Sequence, residues 1–154
     1  MTIKYLDSKR LSGLSPAILS ESFGTGSSGS GNTEFNTPRG VVVDSSGNVH
    51  VIDTYNHRVQ KFNSSGTYQS TIGTGSSGTG NTQLNYPSGI AIDSSDNVYV
   101  ADTNNHRVQK FNSSGTYQST FGTGSAGNGN TEFDNPEGVT VDSSGNIYVA
   151  DSNN

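Results

Sequence analysis

Two histidines, His57 and His106, stand 49 residues apart in one local setting, each between an asparagine and an arginine. An imidazole can ligate a metal or move a proton near neutral pH. Acids recur with them: Asp53, Asp102 and Asp151 in one series, Asp44, Asp93 and Asp142 in another. Together these residue types could serve metal-assisted or acid–base hydrolysis. Their spacing argues against it. A side chain that recurs once per repeat occupies equivalent points of separate units, so the copies do not converge on one centre. The histidines are expected to be hydrogen-bonded residues at the entry to a strand. Arg58 and Arg107 follow Asp53 and Asp102 at a fixed interval, and a carboxylate–guanidinium pair bracing that turn is the expectation. Asp44, Asp93 and Asp142 open DSSGN or DSSDN phrases and read as turn residues. One acid per turn is too few for a calcium loop. His50 is replaced by Tyr99 and Tyr148 in the other units, and is expected to pack within its own unit. The GTGSSG loops lack the Gly-Lys-Ser/Thr ending and the following helix of a phosphate cradle. No catalytic residue, cofactor site or metal site is therefore assigned.

The elements that position these residues repeat. Asn56–Thr71 recurs letter for letter at Asn105–Thr120, and the 49-residue offset extends to Gly24, Gly73 and Gly122 and to Pro38, Pro87 and Pro136. A fixed period of this length marks one structural unit used several times. Each unit reads as four short strands: GVVVD or GIAID, then NVHVID or NVYVAD, then HRVQKF, then TYQSTI or TYQSTF. The connections, rich in Asp, Asn, Ser and Gly, signal hairpins and hence an antiparallel meander. The first two strands are apolar on both faces and are expected inside; the last two are more polar and are expected outside. A sheet graded in this way reads as a propeller blade. The fold class is all-β.

Residues Pro87, Gly89, Ile90, Ala91 and Asp93, with Asn97–Phe111, carry a long ordered motif that stands again at Pro38–Phe62 and begins once more at Pro136. It resembles the NHL repeat family, with Asn105, His106 and Arg107 inside the matching motif. The resemblance covers about residues 17–154 and implies six-bladed rings. This chain supplies one outer strand (17–23), two complete units and two inner strands. A piece of a longer protein, copies that associate to complete a ring, and an open arc all fit that count. The expected organisation is a leader or attachment segment over 1–16, then units of about 25–73, 74–122 and a partial 123–154. Leu6, Leu11 and Leu14 could form a short amphipathic turn ended by Gly13 and Pro16.

The formal charge is −5; Lys4, Lys9, Arg10 and Asp7 give the leader +2, leaving −7 for the repeats. That disfavours sequence-independent nucleic-acid binding. RNA binding, which the resemblance also implies, would rest on Arg39, Lys61 and Lys110. There is no cysteine, no run long enough to span a membrane and no secretory signal. Asn63 and Asn112 open N-S-S sequons, read as chance in so Asn- and Ser-rich a chain.

The units differ mainly in the loop before each first strand, and loops on a rigid scaffold commonly carry recognition. Glu34, Arg39, Tyr86 and Glu137 are the candidate ligand-face residues. The function expected is a non-enzymatic module presenting that face to a protein or a glycan, in an extracellular, cell-surface or virion-associated protein. Two alternatives stand beside it: a fragment of a propeller enzyme, a metal-dependent lyase or hydrolase with its active site in other blades, and an RNA-binding domain. Apolar faces left open at both ends predict self-association.

Overall fold

The computed structural model describes residues 3–6 and 19–154. Strands β3 (Pro38–Val43), β4 (Val49–Asp53), β5 (Arg58–Phe62) and β6 (Tyr68–Ile72) form one antiparallel meander, blade 1. Strands β7 (Ile90–Ile92), β8 (Val98–Asp102), β9 (Arg107–Phe111) and β10 (Tyr117–Phe121) form blade 2 in the same order. Strands β11 (Pro136–Val141) and β12 (Ile147–Asp151) pair as the two inner strands of blade 3. Strand β2 (Leu19–Phe23) holds the fourth-strand position one period before β6, and it pairs with β1 (Ile3–Leu6) in parallel.

The sequence pattern assigns no strand before Ala17, so β1 is an addition. Leu6 closes that strand rather than entering a turn. Leu11, Gly13, Leu14 and Pro16 lie outside the described residues.

Local chemistry sets the hairpins. Asp44 Oδ1 accepts the N–H groups of Ser46 and Asn48, while Gly47 takes φ +80°, a conformation open to glycine. Asn63 repeats the device with Ser65 and Thr67. Asp96 stands where Gly47 and Gly145 stand and takes φ +61°. Its carboxylate accepts the N–H (2.9 Å) and hydroxyl (2.5 Å) of Ser45 from the neighbouring blade.

Blades pack face to face. Ile52, Val59 and Ile72 of blade 1 meet Leu84, Ile90, Val98, Val100 and Phe111 of blade 2 in one cluster. One period on, Ala91, Tyr99 and Val108 meet Phe133, Val139, Val141, Ile147 and Val149. One period back, Phe23 and Phe35 cover Val49, Val51 and Phe62.

The expected inside-to-outside gradient needs one correction. The third strands are buried: Arg58, Val59, Gln60 and Phe62 in blade 1, and Arg107, Val108, Gln109 and Phe111 in blade 2. Arg58, Arg107 and the Gln60 amide nitrogen enter the interior there because internal partners bond them, whereas the Gln109 side chain is enclosed with no hydrogen bond among the described residues. Conversely β3, an innermost strand, exposes Val41 and Val43, because among the described residues no blade covers that end of the arc.

Candidate functional site

The acid, arginine and histidine series form the mechanical frame of the site. Asp53, fully buried, accepts from Arg58 Nε (2.8 Å), Asn56 Nδ2 (2.8 Å), Gln60 Nε2 (3.1 Å) and the Asn36 N–H (2.6 Å). Arg58 then donates to the carbonyls of Ser30, Gly31 and Glu34. The polar Gly/Ser loop is thereby stapled onto its own blade through buried charge-assisted bonds. Asp102 and Arg107 repeat this at 2.7 Å, with Arg107 holding the carbonyls of Thr79, Gly80 and Gln83.

Both motif histidines follow a single 3-10 turn, Thr54–Asn56 or Thr103–Asn105, and adopt the left-handed conformation. His57 Nδ1 accepts the backbone N–H of Tyr86 in the next blade at 3.1 Å, and His106 Nδ1 that of Asn135 at 3.2 Å. Tyr86 and Asn135 themselves carry positive φ, +50° and +55°. Each histidine thus braces a strained residue ahead of the following blade's proline. For His57 that acceptor role requires the neutral tautomer with Nδ1 unprotonated, and burial pushes its imidazole below the usual range; His106 Nδ1 also stands 3.4 Å from Asp134 Oδ1.

His50 lies inside its own blade, as expected. Its Nε2 stands 3.2 Å from Asp44 Oδ2, which also meets Lys61 Nζ at 3.0 Å. Burial lowers the imidazole, against the opposing pull of Asp44. Burial alone would raise Asp44; hydrogen bonds from Asn48, Lys61 and His50 overcome it and hold the carboxyl far below the usual range. Tyr99 and Tyr148 reach the equivalent Asp93 and Asp142 through their hydroxyls at 3.0 Å.

Three of the four candidate face residues come together. Arg39, Tyr86 and Glu137 line a cleft of about 290 Å³ on the face where the 3-10 turns emerge. Tyr55, Thr54, Thr103, Asn104, Asn135 and Asn153 complete it. Tyr86 stacks edge-to-face on Tyr55 (centroids 5.2 Å apart) and on His57 (4.7 Å). Tyr55 is 48% exposed. Thr54 is 2% exposed, and its hydroxyl has no hydrogen-bond partner among the described residues. Its counterpart Thr103 is bonded to Ser88 and to the Pro136 carbonyl. Glu34 stands apart: its Oε2 accepts the Gly31 N–H at 3.0 Å within its own loop, as Glu132 does from Gly129.

The 3-10 turns are the part of the cleft that sequence reasoning missed. A signal was present, because Tyr55 stands where the other two units carry asparagine, Asn104 and Asn153. Among the described residues no three His, Asp or Glu side chains stand close enough to hold a metal ion. No helix there is long and apolar enough to cross a membrane.

Stacked four-stranded meanders that have not closed on themselves define an open segment of a β-propeller. The chain belongs to the NHL repeat family, whose model matches residues 35–62, 84–111 and 133–154. Among solved structures it is similar to a protein of unknown function from Bacteroides thetaiotaomicron (TM-score 0.64, 19% identity, 76% of this chain and 34% of that one). It is also similar to an auxiliary nutrient binding protein from the same organism (TM-score 0.56, 17% identity, 72% and 34%). A third is virginiamycin B lyase from Staphylococcus aureus (TM-score 0.54, 16% identity, 74% and 34%). The chain spans about a third of the length of these structures, and likeness at such identity concerns the fold alone. No curated protein matches its sequence.

Proposed function

We propose that this chain is a non-enzymatic binding module and that a glycan is the ligand its cleft fits best. The observation that carries the proposal is the lining. An exposed tyrosine pair, Tyr55 and Tyr86, stands beside the unpartnered Thr54 hydroxyl and a rim of Asn104, Asn135 and Asn153. Aromatic faces take the apolar face of a sugar ring, while amides and hydroxyls take its hydroxyl groups. Arg39 and Glu137 on the walls suit polar or charged substituents. The motif histidines and aspartates, the groups best fitted to catalysis, are engaged in bracing loops and neighbouring blades. That supports binding over the alternative of a propeller lyase or hydrolase. A peptide is the other polar ligand this lining would take.

A glycan array followed by titration of the hit tests the proposal. Binding is expected, weakened about ten-fold by Tyr55→Ala, with the glycan recovered unchanged. An array blank for glycans, or turnover of the bound sugar, would contradict it.

A further inference from the structure

The two open ends of the arc are the two faces that pack together inside it. Val41 and Val43 of β3 are 50% and 60% exposed, whereas Ile90, one period after Val41, is 8% exposed against blade 1. At the other end Tyr148 is 55% exposed, whereas its counterpart Tyr99 is 3% exposed against blade 3. Each inner seam joins the later face of one blade to the earlier face of the next, and the free ends offer one of each.

The backbone is also shaped for a neighbour. A Cβ on Gly40 would lie 2.8 Å from the Ser88 carbonyl oxygen, and one on Gly89 would lie 2.5 Å from that of Glu137. Glycine is what lets the next blade approach there. Gly138 continues the series, yet a Cβ on it would meet only the Cβ of Ala150, at 3.1 Å.

Charge completes the match. Positions 39, 88 and 137 are equivalent, and Ser88 reaches across its seam to donate to the Glu137 carbonyl at 2.8 Å. A further seam would set Glu137 beside the next residue of that series. In a second copy of this chain that residue is Arg39, which carries the opposite charge.

We infer that two copies of this chain join head to tail into a closed ring, with Glu137 of each against Arg39 of the other. Propellers close with about four to eight blades. Each copy brings three inner-strand pairs, so two copies are the whole number that falls in that range. The seam blade takes β11 and β12 from one copy. Its outer part comes from the β1–β2 pair of the other, where β2 already holds the fourth-strand position. The seam departs from the inner blades at β1, which runs parallel to β2 where a third strand would run antiparallel. Closure also brings the two clefts around one axis. A contact between unlike patches that closes after two copies leaves no free end for growth.

Sedimentation of the 154-residue chain should show a reversible dimer and no larger species. Glu137→Arg and Arg39→Glu, each alone, should weaken dimerisation at least about ten-fold, since like charges then meet at both seams. Mixing the two variants one to one should restore a dimer, because both seams of the mixed ring regain opposite charges. Circular dichroism checks that each variant keeps the β-sheet signal. If either misfolds, the milder pair Glu137→Lys and Arg39→Asp replaces it in the same mixing test. A monomer at every concentration, an open ladder of oligomers, or folded variants that do not recover on mixing would overturn the inference. The exposed faces would then belong to blades of different sequence.

Discussion

Blades 1 and 2 contain the same sixteen residues in a row, Asn56–Thr71 and Asn105–Thr120, yet the two copies do not share one environment. In blade 1 the segment runs into Ile72, 6% exposed beneath blade 2; in blade 2 it runs into Phe121, 37% exposed beside the two strands of blade 3. Their third strands have the same burial throughout, because the buried Asp–Arg staple belongs to each blade alone. The fourth strands differ at their last residue, because that position is covered only by the next blade. A blade's own sequence secures its middle, and its neighbour secures its surface.

The comparison breaks most severely at the shared staple. Asp102→Ala leaves the Arg107 guanidinium buried without its carboxylate, and about 3–5 kcal/mol of unfolding free energy should be lost. Asp53→Ala should cost about as much, since the arginine, asparagine and backbone N–H partners are equivalent and Gln60 adds only one longer bond at 3.1 Å. Urea denaturation measures both, and unequal losses would show that the staple depends on its neighbours.

Packing should separate the blades. Ile72→Ala removes a side chain enclosed between blades and should cost about 2–4 kcal/mol. Phe121→Ala deletes a larger but half-open side chain, and less than half that loss is expected. Equal losses in urea would mean that the far end of blade 2 is as well covered as the inner seam.

A smaller effect, about 1 kcal/mol, should follow His57→Ala, which removes the acceptor of the Tyr86 N–H. The loss should appear together with faster amide exchange at Tyr86, in the next blade.

Acid gives the smallest and most graded test. The imidazoles of His50 and His57 are both lowered by burial, so the unfolded chain takes up their protons first. Their contribution is complete above the usual histidine value of about 6.5 and is lost as pH falls below it. Asp44 is lowered as well, so its contribution holds above about 3.9 and goes at more acid pH. The melting temperature should therefore fall between about pH 7 and pH 5, and again below about pH 4. His50→Tyr, which installs the residue found at positions 99 and 148, should flatten the upper part of the fall. An unchanged slope there would assign it to His57 alone.

Much of this was legible from residue types and spacing. The period gave the blades, the DSSGN and NSSG phrases gave the hairpins, and the Asp–Arg interval gave the staple. The placement of Arg39, Tyr86 and Glu137 on one face followed from the equivalent stretches they occupy in their units, although Arg39 and Glu137 stand within strands β3 and β11 and only Tyr86 in the loop before its strand. What escaped was long-range. The polarity of Gln60 and Gln109 pointed to an exposed third strand; Gln60 is held inside by the Glu34 carbonyl of a distant loop, which leaves no local trace, and Gln109 is enclosed by packing alone, with no side-chain hydrogen bond among the described residues. Glu34 looked free for ligand for the converse reason, since its hydrogen bond to Gly31 depends on how the loop folds back. Tyr55 went unnoticed because a T-x-N link between strands looks like plain turn, and its pairing with Tyr86 exists only across a seam.

Hydrogen exchange on the two identical segments tests the central claim most directly, because their intrinsic exchange chemistry is the same and only the surroundings differ. At a concentration where the chain is monomeric, equal protection is expected over Arg58–Phe62 and Arg107–Phe111, with slower exchange at Ser70 and Thr71 than at Ser119 and Thr120. Indistinguishable rates along both segments, or protection that differs at the staples and not at the fourth strands, would contradict it.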